Sequence, residues 1–125
     1  MVRNILVIDD DDLVRAMVVR ILQRAGYSVT EATDGEKGIR AFERDAPDVI
    51  ITDIVMPNQD GIDVLRRVKS CPQRMTKILA MSGGSLHMFG IDYLNVAKCM
   101  GADAVIQKPF SPDSLVAAVE AAVRP

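Results

Sequence analysis

Histidine and cysteine, the usual nitrogen and sulfur ligands of zinc, are scarce in this sequence. The 125 residues include one histidine, His87, and two cysteines, Cys71 and Cys99. The cysteines lie in unlike contexts, a loop before a proline and an apolar helix, and they show no metal-ligand spacing. A histidine-based metal site is therefore hard to build, and we interpret both cysteines as reduced thiols of a cytoplasmic protein.

The chain also lacks a long apolar run and an excess of positive charge. No apolar segment approaches the roughly 20 residues that a membrane-spanning helix needs, and the run after Met1 is too short for the core of a signal peptide. Lysine and arginine total 15 against 17 acidic residues, interspersed along the chain, for a net charge of -2. The sequence therefore predicts neither membrane contact nor direct binding of nucleic acid by this domain.

Nothing in the sequence divides the chain into parts. The hydrophobic content of 49% is sufficient for a core, and no linker, repeat or low-complexity tract interrupts it. We predict one domain over residues 1–125. We also expect no output domain within this chain, because the last predicted helix ends at Val123, close to the final residue.

Short apolar strands alternate with amphipathic helices five times. This alternation predicts the α/β class, a doubly wound five-stranded parallel sheet with helices on both faces. The third strand is the most strongly marked, because residues 49–51 are β-branched aliphatics that lead directly to Asp53. The predicted strands are 5–8, 27–32, 49–52, 77–81 and 104–106, and the predicted helices are 13–25, 35–46, 61–69, 88–100 and 112–123.

Reactive side chains follow four of the five predicted strands. Asp9 and Asp10 follow the first strand, Asp53 the third, Ser82 the fourth and Lys108 the fifth. In a doubly wound sheet these strand ends lie on one edge, where ligands bind. The sequence therefore predicts a small pocket that contains carboxylates, a hydroxyl and an ammonium group.

The composition of this pocket indicates phosphoryl chemistry. Clustered carboxylates repel one another unless a hard cation neutralises them, and an all-oxygen ligand set suits Mg²⁺ or Mn²⁺. A lysine adds a point charge for an anion. A carboxylate can itself receive a phosphoryl group, and Asp53, at the end of the buried strand, is best placed for that role.

These residues resemble the receiver domains of two-component response regulators, and the likeness covers essentially the whole chain. A lone Lys-Pro pair would be weak support, but here five elements occur in the right order at the right strand ends. They are the acidic pair Asp9-Asp10, the phosphoacceptor position Asp53, the Met56-Pro57 and Gly61 that follow it, Ser82, and Lys108-Pro109-Phe110.

The resemblance implies a flavodoxin-like fold with strand order 2-1-3-4-5. It implies that Asp10, Asp53 and the backbone carbonyl of Val55 hold Mg²⁺ and that Asp9 helps through water. It also implies a cis peptide bond between Lys108 and Pro109. Such a domain accepts its phosphoryl group from a histidine kinase or a histidine phosphotransfer protein and signals to a downstream protein target. It is not an enzyme beyond catalysing its own phosphorylation and dephosphorylation.

Two features depart from the family pattern. The position three residues before the conserved lysine is usually aromatic, and here it is Val105. The segment after Ser82 is also longer than in short receivers, with residues 83–90 predicted to form a flexible loop. The sequence therefore does not show which residues carry the signal from the site to the surface.

The last helix has more apolar surface than a buried stripe requires. Val116, Ala117 and Val123 add apolar side chains on faces other than the predicted core face. Either an interaction surface, such as a homodimer through the last helices, or a tolerant alanine-rich helix explains them.

Two other functions are compatible with parts of the pattern. Residues 5–11 also resemble the first strand of haloacid dehalogenase-like phosphatases, in which Asp9 would be the nucleophile. Those enzymes usually need a cap insertion, for which 125 residues leave little room. A receiver that acts only as a constitutive binding module is the third alternative, although its acid, hydroxyl and lysine positions are all filled.

Overall fold

The structure is a computed structural model that describes residues 3–54, 61–72, 75–82, 98 and 101–124. Strands and helices alternate along the described chain, except that no described helix stands between the fourth and fifth strands. The strands are β1 (Asn4–Ile8), β2 (Ser28–Ala32), β3 (Val49–Asp53), β4 (Lys77–Ser82) and β5 (Ala104–Gln107), and the helices are α1 (Asp12–Arg24), α2 (Gly35–Arg44), α3 (Gly61–Lys69) and α4 (Pro112–Val123).

The five strands form one parallel sheet in the order β2-β1-β3-β4-β5. This is the flavodoxin-like order, and it confirms the predicted fold. The order changes direction between β1 and β3, where Ile8 pairs with Thr52. The acids that follow these two strands are therefore neighbours at the carboxyl edge. Strand β3 is buried along its whole length, as its aliphatic sequence predicts.

Two apolar clusters cover the two faces of the sheet and confirm that helices lie on both sides. Alternate residues of each strand point to opposite faces, so Ile50 and Ile51 belong to different clusters. One cluster includes Phe42 from α2 and side chains of α3. The other includes Val18 from α1 and Leu115 from α4. Strand β3 is thus held between two helical layers.

The helix termini use side chains from the loops that precede them. The Asp11 carboxylate accepts hydrogen bonds from the backbone N–H groups of Leu13 and Val14 at the start of α1. Ser111 and Ser114 form a capping box at the start of α4. These caps fix where both helices begin.

Part of the predicted apolar surface of α4 packs against the core. Val123 packs against the cluster that includes Leu115 and Val119, so its prediction as a residue of another face was wrong. Val116 is half-buried and Ala117 is exposed.

Several sequence predictions fall on residues that the structure does not describe. The predicted loop 83–90 and, apart from residue 98, the predicted helix 88–100 lie outside the described residues. Cys99 also lies there, whereas Cys71 has no disulfide. Among the described residues, no helix combines the length and the apolarity that would let it cross a membrane.

Candidate functional site

Three carboxylates converge at the carboxyl edge of the sheet. Asp9 and Asp10 follow β1, and Asp53 is the last residue of β3. One carboxylate oxygen from each of these residues lies within 4.8 Å of the others. The parallel register between β1 and β3 brings the two strand ends level, which places acids that are distant in the sequence at one point.

Lys108 completes this cluster from the far edge of the sheet. Its Nζ atom lies 3.1 Å from Asp9 Oδ2 and 3.0 Å from Asp53 Oδ2, and its side chain is 16% exposed. The following Lys108–Pro109 bond is cis, as predicted. Lys108 therefore donates to both carboxylates at once. Its ammonium group is thus placed to interact with an anion that binds at this edge.

Asp9 is fully buried, and the hydrogen bonds of its backbone and carboxylate are satisfied. Its backbone N–H donates to the carbonyl of Ala32, and its carboxylate accepts from the backbone N–H of Asp11 and from Lys108. Burial raises the pKa of the Asp9 carboxyl, and the charge of Asp53 adds to this. The bonds from Asp11 and Lys108 act in the opposite direction and only partly offset the effect.

The pKa of Lys108 is also raised. Burial alone would lower it, but the hydrogen bond to Asp53 and the negative charges of Asp53 and Asp9 together outweigh burial. Lys108 therefore remains an ammonium at neutral pH, and the site holds a fixed positive charge beside the Asp53 carboxylate.

Removing the charge of Lys108 should change the titration of Asp9. In Lys108→Met we expect the pKa of the Asp9 carboxyl to rise above its value in the unmodified protein, because the ammonium and its hydrogen bond both lower that pKa. Carboxyl carbon-13 NMR titration in the presence of a chelator measures this shift. Lys37→Met is the matched control, since Lys37 donates to the Thr33 hydroxyl. An Asp9 pKa that is unchanged or lowered in Lys108→Met contradicts the described charge balance.

The backbone that carries Asp53 is closely held. The Thr52 hydroxyl donates to the backbone carbonyl of Asp53 over 2.9 Å, and the Ile54 N–H donates to Met81. Gly61, at the start of α3, donates its N–H to the carbonyl of Ile54 and lies directly against this backbone. Gly61, which belongs to the family pattern, is therefore required by a close approach of two backbones.

The donor set fits a hard divalent cation. The described ligand candidates Asp9, Asp10 and Asp53 offer carboxylate oxygens, with no nitrogen or sulfur among them. Asp9 is buried, and Asp10 is exposed at the rim. The predicted Val55 carbonyl and the Ser82 side chain lie outside the described part of the chain, although the backbone of Ser82 ends β4 beside Gln107.

Two further residues bear on how the site is built. Val105, where the family pattern has an aromatic residue, is half-buried and packs against the core on the α2 and α3 side of the sheet. Arg15 donates to the backbone carbonyl of Asp9 over 2.9 Å. No motif in the sequence marks Arg15, because an arginine in the first turns of an amphipathic helix is ordinary.

Comparisons with known proteins point to one family. The family model described as the response regulator receiver domain matches residues 5–120. The chain is 33% identical over 122 residues to the alkaline phosphatase synthesis transcriptional regulatory protein PhoP of Bacillus subtilis, covering 98% of this chain and 49% of PhoP. It is 34% identical over 122 residues to the transcriptional regulatory protein PdtaR of Mycobacterium tuberculosis, covering 97% of this chain and 57% of PdtaR. The chain thus spans about half the length of these curated relatives.

A solved structure shows the same fold over its whole length. The chemotaxis protein CheY4 of Vibrio cholerae superposes with a TM-score of 0.84 at 28% identity, covering 98% of this chain and 99% of CheY4. These matches give no support to a haloacid dehalogenase-like phosphatase, and Asp9, the nucleophile in that alternative, is 0% exposed. The chain belongs to the receiver domains of two-component response regulators.

Proposed function

We propose that the chain is a single receiver domain that accepts a phosphoryl group on Asp53 in a Mg²⁺-dependent reaction. The observation that carries this proposal is the position of the Asp53 carboxylate. It ends a buried central strand, its side chain is still 12% exposed, and Lys108 Nζ lies 3.0 Å away. A carboxylate that is rigidly held, reachable and adjacent to a cation is suited to receive an anionic group.

The donor is a histidine kinase or a histidine phosphotransfer protein. In the transfer, an oxygen of the Asp53 carboxylate forms the new bond to phosphorus. The bond between phosphorus and the donor's imidazole nitrogen breaks, and that nitrogen keeps the electron pair. Lys108 offsets charge on the phosphoryl oxygens, and Ser82 supplies a hydroxyl to the product. The chain thus acts as a phosphoacceptor that takes part in its own phosphorylation and dephosphorylation.

Asp10, Asp53 and the Val55 carbonyl would hold Mg²⁺, with Asp9 contributing through water. Mn²⁺ is compatible with the same oxygen ligands. When bound, the ion supplies charge neutralisation for the oxygens of the transferring phosphoryl group. The described carboxylates are suited to this role because they lie at the carboxyl ends of two adjacent strands and one oxygen of each lies within 4.8 Å of the others.

The output is a changed affinity for a downstream protein in the cytoplasm. A phosphoryl group adds a charge of about -1.5 to -2 at pH 7, and Lys108 must then redistribute its contacts among Asp9, Asp53 and the new oxygens. This redistribution changes the contacts at the end of β5 and so alters the protein surface beside it. We assign that surface to protein binding because the chain carries no excess of positive charge for nucleic acid. A homodimer through the last helices is one form of the output.

Withdrawal of the metal tests the proposed chemistry. With acetyl phosphate as donor, we expect a chelator to slow phosphoryl uptake roughly 100-fold, because the oxygens of the transferring group lose their principal counter-charge. Added MgCl₂ or MnCl₂ should restore the rate. Circular dichroism in the chelator serves as the control that the fold is intact. An equal rate with and without divalent cation contradicts the proposed function.

A further inference from the structure

Arg15 links three elements around the acidic pair. It lies near the start of α1, and its side chain is only 12% exposed. Its Nη1 donates to the backbone carbonyl of Asp9 over 2.9 Å, its Nη2 to Asp12 over 2.6 Å and its Nε to Glu31 over 3.1 Å. One planar guanidinium thus joins the end of β1, the first turn of α1 and strand β2.

The contact with Asp9 is distinct from an ordinary surface ion pair. Asp12 and Glu31 are well exposed, with side chains 84% and 50% accessible, and exposed pairs of this kind contribute little to stability. The Asp9 carbonyl is a backbone group that lies in the same plane as the N–H and Cα of Asp10. A donor that fixes this carbonyl therefore fixes the direction in which the chain enters Asp10.

Arg15 binds the backbone carbonyl of Asp9, a group that the contacts of the Asp9 carboxylate do not hold in place. The carboxylate is held by the Asp11 N–H and by Lys108, and the backbone N–H by β2. The carbonyl receives the Arg15 guanidinium. With all of these groups engaged, the peptide between Asp9 and Asp10 has a fixed orientation, and the exposed Asp10 side chain starts from a fixed point.

We propose that Arg15 is a positioning residue that orients the Asp9–Asp10 peptide and thereby sets the affinity of the site for Mg²⁺. This inference rests on the proposed function, because it concerns the same metal. Arg15 is not among the residues that would hold the metal. It acts as outer partners of metal ligands do, by fixing the geometry of the residues that bind the ion.

Electrostatics alone predicts the opposite effect, which makes the proposal easy to test. Arg15 is a cation close to the carboxylates, so its removal leaves the cluster more negative and should strengthen the binding of a divalent cation. Loss of positioning should weaken binding. The sign of the change in Mg²⁺ affinity therefore separates the two roles.

The experiment is a titration of the folded chain with MgCl₂, monitored through the amide chemical shifts of residues around Asp9, Asp10 and Asp53. We expect Arg15→Met to bind Mg²⁺ about 10-fold more weakly than the unmodified protein, within the range found for outer partners of metal ligands. Arg15→Lys keeps the charge but lacks the planar fork that reaches three separate acceptors. It should show an intermediate loss, and it carries the test if Arg15→Met does not fold.

Arg40→Met is the matched control. Arg40 is exposed on α2 and pairs with Glu36 one helical turn away. Its replacement therefore removes one positive charge without changing the contacts of Asp9 or Asp10. It should bind Mg²⁺ as the unmodified protein does. Equal or tighter binding by Arg15→Met, unchanged binding by Arg15→Lys, or an equal loss in Arg40→Met overturns the proposal.

A kinetic measurement separates metal placement from general damage. Phosphoryl uptake by Arg15→Met should be slow at low MgCl₂ and return close to the unmodified rate at saturating MgCl₂. A rate that stays low at saturation overturns the proposal. If the unmodified protein shows no saturable Mg²⁺ binding, the proposed function fails together with this inference. If it binds Mg²⁺ and Arg15→Met binds equally well, only this inference fails.

Discussion

Asp53→Asn should abolish phosphoryl uptake from acetyl phosphate. Asparagine has nearly the shape of aspartate, but its neutral carboxamide lacks the anionic oxygen that forms the bond to phosphorus. The side chain lies at the edge of the sheet with 12% exposure, so the fold should survive the change. Phosphoprotein gel mobility measures the result, and the shifted band of the unmodified protein should disappear in alkali, as an acyl phosphate does.

Asp63→Asn is the control for this experiment. Asp63 is a carboxylate in the first turn of α3, close to Arg66 on the same helix, with a side chain 39% exposed. It should accept no phosphoryl group, and its replacement should leave the shifted band unchanged. Uptake by Asp53→Asn at the level of the unmodified protein means that another residue is the acceptor, and the assignment of Asp53 then fails.

Gly61→Ala should destabilise the fold because the added methyl group would clash with the backbone of Asp53 and Ile54. A Cβ atom at residue 61 would lie 2.6 Å from the Cα of Ile54 and closer still to the backbone carbonyl oxygen of Asp53. Backbone at the end of a buried strand cannot move aside cheaply. We expect a loss of about 2–3 kcal/mol in the free energy of unfolding, which corresponds to roughly 10 °C in Tm.

Gly38→Ala provides the comparison. A Cβ at residue 38 would meet the side chain of Ile8, with its Cγ1 atom at 2.8 Å, and a side chain can adjust where a backbone cannot. The loss should be about 1 kcal/mol, at the low end of the range for overpacked sites. Urea denaturation of both variants gives the two values. A Gly61→Ala protein as stable as Gly38→Ala contradicts the described contact between α3 and β3.

The fold was predictable because its signals are local. Residues 49–51 are aliphatic and β-branched, so they mark a central strand without any knowledge of its neighbours, and this strand is the fully buried β3. The strand order came from the family resemblance, because periodicity does not show which strands are adjacent. Val123 was assigned to the wrong face. The contacts of a residue in the last turn of a helix depend on the shape of the core beneath it, and helical periodicity alone does not show that shape.

The convergence of Asp9, Asp10, Asp53 and Lys108 was also predictable. Each follows a strand, and a parallel sheet brings strand ends to one edge. The contacts of Arg15 were not predictable, because they depend on how α1 packs beside Glu31 of β2. The same holds for the full burial of Asp9, whose polar groups are satisfied by hydrogen bonds with Ala32, Asp11 and Lys108 that only the folded chain brings together.

Peptide mapping by mass spectrometry tests the central claim most directly. The unmodified protein is treated with acetyl phosphate and MgCl₂, and hydride reduction of the product converts an aspartyl phosphate into a stable homoserine. We predict one converted residue, at Asp53. Conversion at Asp9 or Asp10 with Asp53 intact, or no conversion anywhere in a protein that binds Mg²⁺, contradicts the account.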